Sequence, residues 1–305
     1  MKVVGLCRFS VFGQPGRADP ADGRLEVASL EEALARLWHP VRMAQRFHLL
    51  ETLLLPSLKA QTDSGAEILL LASASMPDLF QARLDAVTAA VPGLRLIRTE
   101  AADEDAALFK RMEEASAGFS APVAYFQVGE DQGLTAEYTA RLRDAAMRVD
   151  PGGVVSFPTG VFGFHNGGLV RHGMMEASVV VAGVMPPVPP EVTFDQWLSR
   201  DTGRVPVFTD PTFAAYHRTQ LFTPTTEAYQ ALFPVSGIVR RRVLKYIEQD
   251  PELAAGAVIT RKAEAAIATA FPHLSAGALR EAISAAWDPV ALAEAMGFPL
   301  EPLAG

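Results

Sequence analysis

The chain has 305 residues, 49% of them hydrophobic and 20% charged, a balance that excludes wholesale disorder and allows a substantial buried core. A formal net charge of -8 and a pI near 5.3 argue against a nucleic-acid binder held by phosphate contacts, so an anionic ligand would need a local basic site such as Arg240-Arg241-Arg242, a run that otherwise reads as a solvated helix face. The single cysteine, Cys7, rules out an intramolecular disulfide and a cysteine-based zinc site, and its apolar setting marks it as a buried structural thiol.

Lys2 to Cys7 reads as a first buried strand that ends at Arg8-Phe9-Ser10. The apolar run stops at Arg8, too short for a signal-peptide core, and no window reaches the length of a membrane span. The expected compartment is therefore the cytoplasm. A Gly/Pro/Asp-rich loop follows to about Arg24, and from Pro40 the residues Met43, Phe47, Leu50 and Leu54 form one apolar stripe at helical spacing. Pro56 is expected to break or kink that helix before Ser57 to Gln61. Ala66 to Ala72 reads as a second strand covered on both faces. Asp78 to Val91 reads as a helix with Leu79, Leu84 and Val87 inward, Leu94 to Ile97 as a third strand, Ala106 to Ala117 as a helix, and Pro122 to Val128 as a fourth strand.

This alternation calls for a mostly parallel α/β sheet, in which ligands bind beyond the C-terminal strand ends. Arg8-Phe9-Ser10, Ala72 to Ser75 and Gly129-Glu130-Asp131 should then share one rim. After a helix over Thr135 to Met147, Val154 to Phe157 and Ser178 to Val184 read as strands separated by a Gly-rich segment, and Thr209 to Thr226 as a loop lining a site. From Ile238 onward the chain is Ala-rich and helical, suited to capping the core, to dimerising or to touching a membrane surface.

No nucleophile elbow, Walker A loop or zinc-protease helix is present, and Gly160-Val161-Phe162-Gly163 lacks the third glycine of a dinucleotide fingerprint. Glu130 and Asp131 could hold Mg²⁺ or Mn²⁺ against a diphosphate, or Asp131 could simply cap the next helix. Arg8 could pair with phosphate or with a protein carboxylate. Among His165, His172 and His217, the last is the candidate metal ligand or base. Asp201 and Asp210 are loop carboxylates suited to general-base work, and Phe208, Phe213, Tyr216 and Phe222 suit either a stacking platform or the core.

The segment RFHLLETLLLPSLKAQTDSGAEILLLAS, Arg46 to Ser73, resembles the opening of the bacterial family described as putative rhamnosyltransferases. Arg8-Phe9 and Leu55-Pro56-Ser57-Leu58-Lys59-Ala60-Gln61-Thr62 fill that family's first landmarks. The block is also similar to inverting glycosyltransferases of the GT-A type. After the fourth strand the family carries Arg-Leu-Asp-x-Asp-Asp-Ala-Leu. Matching Gly133-Leu134 to its end places Asp131 on the aspartate that closes Asp-x-Asp, with Gly129, Gln132 and Gln127 in place of the first aspartate, the last aspartate and the arginine. The resemblance has landmarks over roughly residues 1 to 160.

It implies an α/β, GT-A-like half-Rossmann sheet flanked by helices. The nucleotide-binding half would be 1–134, the acceptor half 135–235, and 236–305 a helical C-terminal extension. The implied activity moves rhamnose or another hexose from a nucleotide diphosphate sugar to a glycan or similar acceptor, with Arg8, Phe9, Arg46, Gln61, Glu130 and Asp131 at the donor. Because two of three carboxylates are replaced, three readings stay open: Glu130 and Asp131 hold a metal together, arginines replace the metal, or the chain is a non-catalytic nucleotide-sugar or glycan binder.

Overall fold

The computed structural model describes residues 1–11, 30–99, 110, 114, 120–164, 169–173, 181–185, 206–220, 229, 232, 245, 248 and 259–302. The centre is a mixed α/β arrangement around a seven-stranded sheet. Its strands are β1 (Lys2–Phe9), β2 (Ala66–Ser73), β3 (Leu94–Thr99), β4 (Val123–Gln127), β6 (Val154–Ser156), β9 (Val181–Met185) and β10 (Val207–Thr209), in the order β10-β6-β9-β4-β1-β2-β3. β1 pairs in parallel with both β2 and β4, and β2 with β3. β9 runs against both β4 and β6, while β10 follows β6, so β9 alone is reversed among these strands. The C-terminal ends of β1, β2, β4, β6 and β10 therefore share one rim, as the strand–helix alternation predicted for the first three.

Apolar periodicity explains the cover. Helix α1 (Leu30–Leu37) leads into α2 (Pro40–Leu49), and Met43, Phe47, Leu50 and Leu54 are all fully buried, the stripe read from sequence. Pro56 does not break the rod. Leu50–Leu54 instead forms a π-helical turn in which the Leu55 N–H reaches the Leu50 carbonyl, and α3 (Leu55–Lys59) continues from it. Proline has no N–H for the Thr52 carbonyl and its ring crowds that group, so a widened turn just before it accommodates the residue. Helix α4 (Asp78–Thr88) buries Phe80, Leu84 and Thr88, whereas Leu79 is 42% exposed, a correction to the inward face expected. The helix is phased on Phe80, whose ring meets Phe298 at 5.1 Å and Phe47 at 6.3 Å. Gly93 closes the turn into β3 at φ 73°, where a Cβ would lie 2.7 Å from the Ala66 carbonyl oxygen. Of the helix expected over 106–117, only Lys110 and Glu114 are described, and both are helical.

A second sheet, in the order β5-β11-β7-β8, stands beside the rim and comprises β5 (Gln132–Leu134), β7 (Thr159–Phe164), β8 (Leu169–Gly173) and β11 (Tyr216–Gln220). Two sequence expectations change here. Gly160 and Gly163, read as part of a Gly-rich segment between strands, belong to a strand themselves, and their missing side chains make room for the Tyr216 ring and for Ile283. The segment from Thr209, read as a loop, contains part of β10 and all of β11. Helix α5 (Tyr138–Ala146) follows β5. The C-terminal helices α6 (Arg261–Ala270), α7 (Ala276–Ala285) and α8 (Pro289–Ala295) start at Thr260, Ser275 and Asp288, each of which caps its helix through a side-chain oxygen. Ile267, Phe271, Leu279 and Ile283 pack with Leu49, Leu53, Val161 and Leu169 in one buried cluster, and the Gln45 amide donates to the Ala286 carbonyl at 2.7 Å. The described part of the tail thus covers apolar surface of both the second sheet and α2. No helix among the described residues is long and apolar enough to cross a membrane.

Candidate functional site

β1 and β4 are neighbours, so the chain leaving each emerges side by side at the C-terminal rim. β1 delivers Arg8, Phe9 and Ser10. Phe9 is fully buried, its ring 4.9 Å from that of Phe47, so it is a core residue and not the ligand contact expected of it. Its neighbour is Arg46 of α2, whose guanidinium carbon lies 5.4 Å from the Phe9 ring centre. Ser10 is the one described non-glycine residue with positive φ, 48°. Its hydroxyl donates to the Met43 sulfur at 3.3 Å and accepts from Arg42, and its carbonyl accepts from the Trp38 indole at 3.5 Å. Those contacts hold the end of β1 in a conformation that side chains rarely adopt.

β4 delivers the acidic turn. The Gln132 N–H donates to the Gly129 carbonyl at 3.1 Å and the Gly129 N–H donates to the Gln132 side chain at 3.0 Å, so Gly129 to Gln132 closes on itself. A Cβ on Gly129 would lie 2.6 Å from Asp131 Oδ1, so the Asp131 carboxylate occupies the space a side chain at 129 would need. The two residues that replace carboxylates of the resembling motif, Gly129 and Gln132, thus serve one turn geometry. Thr219 N–H donates to the Asp131 carbonyl at 3.3 Å and ties the turn to β11. Asp131 does not cap the following helix, because β5 intervenes and Glu137 stands at the N-cap.

Each carboxylate of the turn faces an arginine. Glu130 Oε1 lies 2.7 Å from Arg46 Nη2, with 17% and 18% of the two side chains exposed. Asp131 Oδ2 lies 3.8 Å from Arg218 Nε, a looser pair. Burial pushes the Asp131 carboxyl up to about 6; Arg218 and Arg46 pull it down, and Glu130 adds to the rise. Below the turn, burial pushes the Cys7 thiol well above its ordinary range, which makes it the inert structural thiol expected.

Arg8, Arg46, Glu130 and Asp131 are therefore brought to one rim, and Gln61 and His217 are not. Gln61 donates to the carbonyls of Ser57 and Thr135 and accepts from both the N–H and the hydroxyl of Thr139. Its amide is committed to tying α3 to the start of α5, which corrects the donor-binding role implied for it. His217 is fully buried on β11, its ring over Gly133 and 5.0 Å from that of Phe271. Burial, with His273 adding, pushes its pKa down to about 3, so the enclosed ring is neutral and packs as part of the core. Side chains alternate along a strand, and the neighbour Arg218 takes the face toward Asp131. Sequence reading missed Arg218 because it took 209–226 for a loop; with a strand over 216–220, alternation would have separated the two.

Asp210 follows β10 on the same rim, roughly 14 Å across the sheet from β4 at three strand spacings. Its Oδ1 accepts from the Thr212 N–H and hydroxyl, and these bonds with Arg141 outweigh burial and hold its pKa below the ordinary value. Asp201 and His165 lie outside the described residues, as do Arg240 to Arg242, and so do the side chain of His172 and Phe222. As for a divalent cation, the described residues contain no group of three or more His, Cys, Asp or Glu placed to hold one, and both carboxylates of the turn already face arginines. Among the described residues the turn thus offers a cation two carboxylates, each engaged by an arginine that the cation would have to displace.

A family model described as "Putative rhamnosyl transferase" matches residues 2–223, nearly three quarters of the chain. The chain belongs to that family. No curated protein matches it. Among solved structures, residues 1–349 of S. aureus TarS in complex with UDP-GlcNAc align at 9% identity over 72% of this chain and 59% of that one, with a TM-score of 0.39. The apo WbbM bifunctional glycosyltransferase aligns at 14% identity over 52% and 23%, with a TM-score of 0.28. A 4-diphosphocytidyl-2C-methyl-D-erythritol synthase aligns at 12% identity over 69% and 90%, with a TM-score of 0.32. This chain spans less than two thirds of the TarS fragment.

Proposed function

We propose that this member of the family is a glycosyltransferase of GT-A type that binds a nucleotide diphosphate sugar at the rim between β1 and β4 and passes the sugar, rhamnose or another hexose, to a glycan or similar acceptor. The observation that carries this reading is the meeting of Arg8, Arg46, Glu130, Asp131 and Arg218 at the C-terminal ends of neighbouring parallel strands, where α/β sheets bind ligands. In the transfer an acceptor hydroxyl attacks the anomeric carbon, the bond to the diphosphate oxygen breaks, and a base takes the hydroxyl proton. Positive charge at the rim stabilises the departing diphosphate. A divalent metal, if one is bound, would supply the same neutralisation.

Asp210 remains the candidate base among described residues: it is held ionised by Thr212 and stands on the same rim, but lateral to the acidic turn. Asp201 is the alternative. A second reading, a non-catalytic nucleotide-sugar binder, is favoured by the self-closed Gly129–Gln132 turn, which leaves fewer carboxylates than the family pattern.

The test is release of nucleoside diphosphate from a panel of dTDP-, UDP- and GDP-linked sugars without acceptor, since active transferases leak some sugar to water. Release from one nucleotide class, lost in Asp210→Asn or Asp201→Asn, supports the transferase and names its base. Saturable binding with no release from any donor supports the binder.

A further inference from the structure

The acidic turn offers two carboxylates, yet each is turned to an arginine from a different part of the chain. Arg46 reaches Glu130 from α2, and Arg218 faces Asp131 from β11. The two arginines are built to different degrees. Arg46 lies above the Phe9 ring and makes a 2.7 Å ion pair, while its buried Nε has no hydrogen-bond partner among the described residues. Arg218 Nε is likewise buried without a hydrogen bond, and its separation of 3.8 Å from Asp131 is longer than a charge-assisted bond. Both guanidinium groups thus keep donors unspent where the strands end. A carboxylate offers two acceptor oxygens; a diphosphate offers more, with higher charge, and matches two guanidinium forks at once.

Gly129 and Gln132 strengthen the point. Where the resembling motif has carboxylates, this chain has a glycine whose space the Asp131 carboxylate fills and a glutamine that accepts from the Gly129 N–H. The turn is shaped to present Glu130 and Asp131 to arginines, not to converge oxygens on a cation.

We propose that Arg46 and Arg218 are the residues that receive the donor's diphosphate without a metal, and that Glu130 and Asp131 are exchangeable partners that keep the two guanidinium groups positioned until the diphosphate displaces them. This rests on the proposed donor site and assigns the chemistry of its phosphate subsite. The sign is the opposite of a metal motif: here neutralising a carboxylate removes a competitor, whereas at a metal site it removes a ligand.

The experiment is calorimetric titration of the whole chain with inorganic pyrophosphate and with the nucleoside diphosphate of any donor found, in EDTA and again in Mn²⁺. Expected is binding in EDTA that weakens about tenfold in Arg46→Met and in Arg218→Met. The same binding should tighten severalfold in Glu130→Gln, and should not change in Glu51→Gln, which opens the separate Arg83–Glu51 pair at 2.8 Å. Arg46→Lys, which keeps the charge and loses the fork, should fall between. Were Arg46→Met to unfold, as circular dichroism would show, the tightening in Glu130→Gln still decides the matter. Binding that requires Mn²⁺ and disappears in Glu130→Gln or Asp131→Asn overturns the inference while leaving the transferase standing. Pyrophosphate that binds under neither condition overturns it too, and donor hydrolysis then judges the transferase separately.

Discussion

His217 makes the protein acid-sensitive in a way that one substitution should remove. Its ring is fully buried against Phe271 and Gly133, and neither nitrogen has a hydrogen-bond partner among the described residues. Its pKa falls from 6.5 to about 3, chiefly through burial. The folded state therefore holds the ring neutral while the unfolded chain protonates it from about pH 6.5 downward, so stability is retained above that pH and lost as pH falls toward 3. At about 1.4 kcal/mol per pH unit, the loss between pH 6.5 and 5 is roughly 2 kcal/mol. His273, also lowered by burial, adds in the same direction. His217→Met fills a similar volume with an adaptable apolar side chain, and removing two unpaired buried nitrogens should leave stability at about pH 8 unchanged or slightly higher. Urea unfolding followed by tryptophan fluorescence at about pH 8, 6.5 and 5 gives the comparison. The wild type should lose about 2 kcal/mol more than the variant over the acid step. Parallel pH dependence in the two proteins would mean that the ring is solvated or bonded, and would refute its placement in the core.

Gly133→Ala would put a Cβ 2.0 Å from His217 Nε2, a clash with an enclosed ring, and should cost about 1–3 kcal/mol in chemical denaturation. In a His217→Ala background most of that cost should vanish, and a double-mutant cycle with no coupling would contradict the contact. Gln61→Met should destabilise by roughly 1–3 kcal/mol, because it leaves the Thr139 N–H and hydroxyl without the amide oxygen that accepts from both. Its diphosphate affinity, measured at a temperature where the variant is folded, should match the wild type; a large loss would restore Gln61 to the donor site. Asp210→Asn should lower stability above about pH 4 and not below, since the folded pKa is depressed and the contribution appears only when the carboxylate is ionised. A pH-independent difference in Tm would show that the Thr212 bonds, not the charge, matter.

What the sequence made legible follows from how local each signal is. The run Lys2 to Cys7, the stripe Met43, Phe47, Leu50, Leu54, and the run Ala66 to Ala72 carry their periodicity within one element, and all three appear where expected. Leu79 was misplaced because Leu79 and Phe80 differ by one helical step, and only the aromatic contacts of Phe80 with Phe47 and Phe298 settle the phase. The strands β5 and β7 were illegible for another reason. Glycines at 133, 160 and 163 weaken any strand pattern, yet each makes space for a side chain from elsewhere, namely His217, Tyr216 and Ile283. Such partners are distant in sequence, so nothing local announces them. The site divides the same way: Arg8, Glu130 and Asp131 could be placed on the rim from strand ends, whereas Arg218 enters only through β11 pairing with β5 and β7. Gln61 is implicated only by the family resemblance and His217 only by its residue type, and tertiary packing gives both structural work.

A nucleotide sugar bound at the rim where β1 and β4 end would shield the backbone there from solvent. Hydrogen–deuterium exchange of the whole chain, with and without saturating dTDP-, UDP- and GDP-linked sugars in the presence of Mn²⁺, reads that placement directly. One nucleotide class should slow exchange at the end of β1, around Arg8 to Ser10, and across the Gly129 to Gln132 turn, with the Arg46 segment of α2 following. Protection confined to other segments, or none with any donor, would contradict it.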